Sequence, residues 1–297
     1  IPLRASVRRT IASPFPLLII LTIAVRIYIR ITTGICKSTR RMDGKTVIVT
    51  GANTGIGKET AHDLAQRGAK VILACRDLKR GKEACENIIE KTGNKKVVLR
   101  HLDLSSLASV RKFANEIIKT ELRLDVLINN AGAGGLGNKK TTDGLLIGMQ
   151  INHFGPFLLT CLLLDLMKKS SPSRIIMVSS FNHKLAKFDI DNLNSEKWFS
   201  DVQVYNCSKL ANVLMANELA NKLKGTEKKV WTVNSLHPGA VKTEILRRVP
   251  SFVLFFVNSL LIRPFFKNVR DGAQTTIHLA VSEEVEGVTG KYFADCK

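Results

Sequence analysis

The stretch Thr50-Gly51-Ala52-Asn53-Thr54-Gly55-Ile56-Gly57 decides the fold that this sequence predicts. It follows the β-branched run TVIVT of Thr46 to Thr50, which is typical of a short strand. Residues 56–65 have the apolar spacing of a helix, and Gly68 is a suitable stop before the second strand-like run, KVILA, at 70–74. The order strand, glycine-rich turn, helix, strand indicates a β-α-β unit.

The same alternation continues along the chain. Further strand-like runs lie at Val97 to Leu99, Val126 to Ile128, Ile175 to Val178 and Val230 to Ser235. Helical stretches such as Leu107 to Thr120 and Leu145 to Met167 separate them. This pattern predicts an α/β fold with a doubly wound parallel sheet, covered by helices on both faces, of the Rossmann type. We expect one domain over residues 43–297, preceded by an N-terminal segment at 1–42.

The N-terminal segment is basic and apolar. Residues 14–25, PFPLLIILTIAV, form an uninterrupted apolar run of 12 residues, which Arg26 and Arg30 end. A spanning helix needs about 20 apolar residues, although arginines near a helix end can reach the headgroups. We expect a retained, short or tilted membrane anchor; a signal peptide and a mitochondrial targeting segment are the alternatives. Five Lys or Arg at 26–41, against three at 4–9, predict that the domain stays cytosolic.

The charge of the chain points to anionic partners. Lys and Arg number 45 against 25 Asp and Glu, a net charge of +20. Nucleic acid and membrane surface are the two candidates. The three Tyr and two Trp are not interleaved with basic residues as in a strand-binding surface, so nucleic acid is not an expected partner. The six Cys are scattered without a metal-ligand cluster, which predicts no metal and a reducing compartment.

The glycine-rich turn is suited to a dinucleotide. Missing Cβ atoms let the backbone approach a pyrophosphate, and the helix N-terminus offers free N-H groups, although glycines also serve simple turns. An NAD enzyme would usually place an acid at the end of the second strand, but here that strand ends Ala74-Cys75-Arg76. Arg76, with Lys58, suits the 2′-phosphate of NADP(H), whereas Asp77 is an acidic neighbour. The alternative is that Arg76 and Lys58 are solvated surface cations.

A second motif lies on a later helix. Tyr205 and Lys209 in YNCSK are four residues apart, so they share a helix face. A free phenol has a pKa of about 10, and a nearby ammonium would lower the pKa of Tyr205. Tyr205 could then exchange a proton with an alcohol or carbonyl oxygen. This spacing also arises by chance on helices, so its companions matter.

Together with YNCSK, several other motifs resemble those of the short-chain dehydrogenase/reductase family, over residues 45–292. The matching elements are TGANTGIG, Asp103 in HLDLSS, NNAG at 129–132, Asn152, Ser180, YNCSK and HPGAVKT. The resemblance implies that Tyr205 is the general acid/base and that Lys209 binds the nicotinamide ribose. It implies that Ser180 hydrogen-bonds the substrate oxygen and that Asn152 holds a proton-relay water. As alternatives, Asn152 and Asp103 could be helix caps and Ser180 a strand-end hydroxyl, with Ser179 beside it.

The resemblance also extends the predicted cofactor site. It places Asp103 on the adenine, Asn130 along the cofactor, and Pro238, Gly239 and Thr243 around the nicotinamide amide, although Pro238-Gly239 could be an ordinary turn. The full set of predicted cofactor contacts is Gly51, Asn53, Thr54, Gly55, Ile56, Gly57, Lys58, Arg76, Asp103, Leu104, Asn130, Ala131, Gly132, Tyr205, Lys209, Pro238, Gly239, Val241 and Thr243.

Within the family, several features are most similar to the microsomal retinol dehydrogenases. These are TGANTGIGKETA, LACRD, the 25-residue gap from Ser180 to Tyr205 and the N-terminal apolar segment. The resemblance implies a retinol or retinal substrate at the endoplasmic reticulum membrane; reductases of steroids, farnesol-like alcohols and lipid aldehydes share much of this framework. In a reducing cytosol, carbonyl reduction would be favoured.

One apolar segment remains, at about 245–268. It contains VPSFVLFFVNSLLIRPFF with flanking cations, and we expect a lid over an apolar substrate pocket that touches membrane lipid. The alternative is a core helix or a dimer contact, which would make the protein a homo-oligomer. Two other classes of protein are alternatives to the oxidoreductase: a catalytically idle NADP-binding membrane scaffold and an RNA-binding protein. The four residues Asn152, Ser180, Tyr205 and Lys209 argue against the first, and the absence of an RNA-binding motif argues against the second.

Overall fold

The computed structural model describes residues 15–224, 231–241 and 266–297. Within them, seven strands form one sheet in the order β3-β2-β1-β4-β5-β6-β7, and every neighbouring pair is parallel. The strands are β1 Thr46–Thr50, β2 Lys70–Cys75, β3 Val97–His101, β4 Val126–Asn129, β5 Ser173–Val178, β6 Trp231–His237 and β7 Tyr292–Ala294. The chain runs outward from β1 to β3, returns to β4 and then runs outward again. This reversal opens a crevice at the carboxyl ends of β1 and β4.

Helices connect the strands. They are α1 Phe15–Thr32, α2 Gly55–Gln66, α3 Leu78–Thr92, α4 Leu107–Thr120, α5 Ile147–Met149, α6 Gly155–Lys169, α7 Asp201–Leu223 and α8 Val269–Val281. Side-chain caps begin several of them: Asp77 accepts from the N-H of Arg80 at α3, and Ser106 accepts from the N-H of Ser109 at α4. Helix α4 has the predicted bounds.

The core lies on both faces of the sheet. Along β1, Val47 and Val49 pack into one buried cluster, and Ile48 packs into the other. Helices α2, α3 and α8 contribute side chains to the first cluster, whereas α4, α6 and α7 contribute to the second. Strands buried on both faces are continuous apolar runs, as TVIVT is. The predicted doubly wound α/β fold is confirmed.

Two details differ from the sequence prediction. Strand β7, only three residues long, was not predicted. The helical stretch predicted at 145–167 is not continuous: a π-helix at Gln150–Phe154 joins α5 to α6.

The described residues contain one helical stretch that is long and apolar enough to cross a membrane by composition, Ile147–Lys169. Half of its window is buried inside the fold, as expected of a core helix. Helix α1 covers much of the predicted anchor, but residues 1–14 lie outside the described part of the chain, as does the predicted lid except for residues 266–268.

Candidate active site

The glycine-rich turn forms a tight backbone cradle at the carboxyl end of β1. Gly51 and Gly55 have φ angles of +66° and +55°, which favour glycine. A Cβ on Gly51 would lie 3.0 Å from the Cα of Ala131, and one on Gly57 would lie 2.4 Å from Nδ2 of Asn130. Thr54 is the N-cap of α2, but its side chain makes no capping hydrogen bond. The side chain of Thr54 therefore leaves the first-turn N-H groups of α2 free of its own hydroxyl, which fits the pyrophosphate of a dinucleotide.

The loop after β4 is bound to this cradle. The backbone N-H groups of Asn130 and Ala131 donate to Oγ1 of Thr50 at 3.0 and 2.9 Å. The Asn130 amide donates to the carbonyl oxygen of Thr50 at 2.8 Å. Asn130 therefore holds β1 and β4 together at the crevice, and Gly132 continues the loop towards Lys209.

Other predicted cofactor residues lie along the same edge. Asn53, Ile56 and Lys58 are half-buried in the turn and the first turn of α2. Leu104 is buried just beyond β3. Next to it, Oδ1 of Asp103 accepts from the backbone N-H of Ser105 at 2.9 Å and from its hydroxyl at 2.6 Å.

Arg76 follows β2 directly and is exposed at the carboxyl edge. Its acidic neighbour, Asp77, accepts a hydrogen bond from the N-H of Arg80 as the cap of α3. The carboxylate of Asp77 therefore has a structural role of its own, whereas the guanidinium of Arg76 is exposed at this edge.

Tyr205 and Lys209 lie one turn apart on α7, as predicted. Nζ of Lys209 is 5.6 Å from the centre of the Tyr205 ring and donates to the carbonyl oxygen of Val178 at 3.0 Å. A Cβ on Gly132 would lie 3.0 Å from the same Nζ, so the loop after β4 approaches Lys209 closely at this glycine. The carboxyl ends of β4 and β5 thus lie next to the face of α7 that carries Tyr205 and Lys209.

Ser179 and Ser180, which the sequence could not fully distinguish, have different surroundings. The hydroxyl of Ser179 is buried and donates to the carbonyl oxygen of Lys209 at 2.7 Å. Ser180 is half-buried, and its hydroxyl is close enough to the phenol of Tyr205 to lower the pKa of that phenol. Ser179 therefore holds α7 to β5, whereas Ser180 lies next to the reactive phenol.

Asn152 lies in the π-helix and is completely buried. Its side chain accepts from the N-H of Ala133 at 2.8 Å and donates to the carbonyl oxygen of Ala133 at 2.9 Å. It also donates to the hydroxyl of Ser208, which follows Tyr205 by three residues. Asn152 therefore joins the loop after β4 to α7 rather than capping a helix.

Burial dominates the electrostatics of this group. It raises the pKa of Tyr205 above its usual value, and the nearby hydroxyl of Ser180 opposes that effect. Burial lowers the pKa of Lys209 to about 8. The net shift is therefore opposite to the lowering that the ammonium was expected to cause, because burial outweighs the effect of Ser180 on the phenol.

The loop after β6 closes the other side of the crevice. Gly239 has a φ of +84°, and its N-H donates to Nδ1 of His237 at 3.1 Å. A Cβ on Gly239 would lie 2.9 Å from Cδ of the Lys267 side chain. The backbone of Lys267 also forms an isolated parallel β-bridge with Val241. Pro238 lies in the same half-buried loop. Thr243 lies outside the described residues.

Sequence reasoning missed a contact beside this loop. Lys267 pairs with Asp295, and Asp295 follows the short strand β7. The Tyr292 ring stacks on His237 at 5.9 Å and contacts His183 at 4.8 Å. The three-residue strand that carries these groups to the site has no local signal in the sequence, so no pattern could have found them.

The arrangement is suited to moving one proton at the mouth of a dinucleotide site. A half-buried phenol, a hydroxyl next to it and a buried amine meet at one edge of the sheet, beside a backbone cradle. Among the described residues, no group of three or more His, Cys, Asp or Glu could hold a metal ion.

Comparison with known proteins agrees with this geometry. Residues 45–253 match the family model for short chain dehydrogenases. The chain is 46% identical over 264 residues to human retinol dehydrogenase 12, covering 89% of this chain and 82% of that protein. It is 45% identical over 288 residues to human retinol dehydrogenase 11, covering 95% and 89%. A protein from Shigella flexneri solved with NADP has the same fold, with a TM-score of 0.68 at 24% identity, covering 88% of this chain and all of that one. This chain therefore belongs to the short-chain dehydrogenase/reductase family of oxidoreductases.

Proposed function

We propose that the protein uses NADP(H) to interconvert a hydrophobic alcohol and its aldehyde or ketone, with retinol and retinal as the leading pair. The observation that carries this proposal is the contact of Ser180 with Tyr205, one helical turn from Lys209, beside the glycine cradle. The substrate class is supported by the similarity to proteins named retinol dehydrogenases.

The catalytic roles follow from the surroundings of each group. Burial raises the pKa of Tyr205, so the phenol stays protonated at neutral pH and can donate its proton to a carbonyl oxygen during reduction. The hydroxyl of Ser180 would bind the same oxygen and orient it. The bound nicotinamide would supply the hydride in reduction and accept it in alcohol oxidation.

Lys209 and Asn152 support the reacting group. Nζ of Lys209 uses one N-H on the carbonyl oxygen of Val178, which leaves the other N-H groups for the ribose hydroxyls of the cofactor. Asn152 fixes the loop at Ala133 against α7, and we propose that it also helps to hold a water molecule for proton relay.

The remaining cofactor contacts are assigned along the edge. The turn from Gly51 to Gly57 would bind the pyrophosphate, and Arg76 with Lys58 the 2′-phosphate. Both hydrogen bonds to the Asp103 carboxylate use Oδ1, so Oδ2 would be the oxygen that meets the adenine. Loop 238–243, including Thr243, would surround the nicotinamide amide.

The chain layout follows from the same proposal. Residues 1–42 would attach the protein to the endoplasmic reticulum membrane, with the domain at 43–297 on its cytosolic side. The apolar segment at about 245–268 would cover the substrate pocket, so that a lipid-soluble alcohol or aldehyde can enter it.

An assay of NADPH oxidation tests the proposal. The membrane-bound protein is incubated with retinal, a steroid ketone, a farnesol-derived aldehyde and a medium-chain aldehyde, and each reaction is repeated with NADH. We expect fastest turnover with retinal and NADPH. Faster turnover of another carbonyl would replace the substrate, and faster use of NADH would reject the cofactor assignment. No turnover above a Tyr205→Phe control with any substrate would identify an idle scaffold.

A further inference from the structure

Helix α1 has two different faces. Four isoleucines at spacings of three and four residues are exposed and line one face: Ile20, Ile23, Ile27 and Ile31. The half-buried positions lie on the opposite face: Thr22, Val25 and Ile29. Arg26 and Arg30 are exposed at the side of the isoleucine stripe. An exposed apolar stripe with basic residues at its side can enter the interface of a membrane with anionic headgroups.

The segment after α1 is bound to the domain by hydrogen bonds and close contacts that begin almost directly after the helix. We call residues 33–42 the strap. Its backbone first contacts the domain at Gly34, where a Cβ would lie 1.8 Å from the carbonyl oxygen of Asp295. The N-H of Gly34 also donates to the Asp295 carboxylate, and that of Cys36 donates to the Gln274 side chain at 3.1 Å. Only Thr33 separates this contact from the end of α1.

The rest of the strap continues down the domain. The Arg67 guanidinium donates to the carbonyl oxygens of Ser38 and Arg40 at 2.9 and 3.0 Å. The N-H of Met42 donates in turn to the carbonyl oxygen of Arg67 at 2.8 Å, and Met42 is buried. The strap is therefore a fixed part of the fold and not a flexible linker.

The strap meets the domain at its catalytic edge. Asp295, which binds Gly34, also pairs with Lys267, whose side chain packs against Gly239 in the predicted nicotinamide loop. Asp295 and Lys267 both act on the pKa of His237, which burial lowers. Helix α1 thus ends beside the carboxyl ends of β6 and β7.

Exposed apolar and basic side chains continue along this edge. They lie in the turn after β5, directly beyond Ser180: Phe181, Lys184, Leu185 and Lys187. The Phe181 ring contacts His237 at 6.1 Å, which connects this turn to the same edge. Aromatic and basic residues together are favoured at the headgroup level of a bilayer.

We propose that α1 lies along the membrane surface instead of crossing it, and that the strap holds the catalytic edge against the same surface. The partner is a lipid bilayer with anionic headgroups: the isoleucine stripe enters the acyl boundary, and Arg26 and Arg30 meet the phosphates. A substrate dissolved in lipid then reaches the site without crossing water. This inference rests on the proposed membrane attachment, and its first test does not depend on catalytic activity.

The depth of the stripe distinguishes the two orientations. Single variants Ile20→Trp, Ile27→Trp and Ile31→Trp are made in the full chain with Trp198 and Trp231 replaced by Phe. They are bound to vesicles of phosphatidylcholine and phosphatidylserine that carry bromine at different acyl depths. We expect quenching at one shallow depth for all three, with Thr22→Trp as the less quenched control from the opposite face. In a helix along the bilayer normal, positions 20 and 31 would differ in depth by about 16 Å. Graded depths, or no binding to the vesicles, would overturn the proposal.

A longer tether tests the role of the strap. A Gly-Ser linker of about ten residues is inserted between Thr33 and Gly34, which leaves α1 and the domain unchanged but separates them. We expect several-fold lower kcat/KM with an aldehyde dissolved in vesicles and unchanged kcat/KM with a short water-soluble aldehyde. Equal values for both substrates would overturn this part. If the parent protein turns over neither aldehyde, the proposed function is rejected, but the result of the depth experiment still stands.

Discussion

The two edges of the sheet differ in whether a buried charged side chain has a partner of opposite charge. At the amino edge, the buried carboxylate of Asp125 accepts from Lys45, from Arg123 and from the N-H of Thr46. At the carboxyl edge, Lys209 is just as buried, but no carboxylate in the described part of the chain pairs with it. Removing a partner from a buried ion pair costs stability, whereas a buried charge without an opposite charge is a candidate for a functional site.

The largest expected effect lies at the carboxyl edge. Tyr205→Phe removes the proton donor, so we expect kcat to fall by about 10³-fold with an unchanged melting temperature. Tyr292→Phe is the matched control, because the Tyr292 hydroxyl is buried near the same edge without a partner among the described residues. Steady-state kinetics and thermal unfolding of both variants measure this. Equal losses of activity would mean that Tyr205 has no special role.

A substitution at the amino edge should change the stability of the fold and not the activity. Asp125→Ala leaves the partly exposed cations of Lys45 and Arg123 and the N-H of Thr46 without their shared acceptor, and we expect a loss of about 2 kcal/mol in the free energy of unfolding. Denaturant unfolding gives this value, and kcat/KM of the folded fraction should stay unchanged. An activity loss at full stability would break the contrast between the two edges.

Lys209→Met combines both kinds of effect. Activity should fall by about 10²-fold because the ribose contact and the charge are lost. Stability should rise at neutral pH, because burial lowers the pKa of Lys209 to about 8 and its charged form is therefore costly in the folded protein. Above pH 8 the folded parent loses this proton while its unfolded chain keeps it, so the parent gains stability and the advantage of the variant should shrink. Unfolding at several pH values checks the sign; an advantage that grows with pH would contradict it.

The smallest expected effect concerns an exposed cation. Arg76→Asp should lower the ratio of kcat/KM for NADPH to that for NADH by about tenfold, since an acid would repel the 2′-phosphate and bind a ribose hydroxyl. Lys79→Asp makes the same change of charge at an exposed position in α3 and should leave the ratio nearly unaltered. If both variants change the ratio equally, the general field of the edge sets the preference, and Arg76 does not.

Local patterns in the sequence were sufficient for the framework and the main motifs. TVIVT becomes β1 with the predicted bounds, and Leu107–Thr120 is the helix expected from its apolar spacing. Tyr205 and Lys209 share a face because helical geometry alone places residues four apart together. Each of these features depends on neighbours close in the chain.

Features that depend on distant parts of the chain could not be predicted. Strand β7 is too short for a pattern and forms only because β6 offers it an edge. The close contact of Gly34 with Asp295 joins residues 261 positions apart. The direction of the pKa shift of Tyr205 depends on how deeply the folded chain buries the phenol, which the spacing to Lys209 does not reveal.

The π-helix at Gln150–Phe154 determines how α5 and α6 are rotated relative to each other about the helix axis. Its wider turn holds more residues than an α-turn, so the two flanking helices are out of step by part of a revolution. Within the π-helix, Asn152 faces Ala133 and α7; directly after it, Gly155 packs against the backbone of Leu104, where a Cβ would lie 2.8 Å from the carbonyl oxygen. Removing one residue here would turn one side by about 100° relative to the other. The chain would then keep either the hydrogen bonds of Asn152 to Ala133 and Ser208 or the packing of Gly155 against Leu104, but not both.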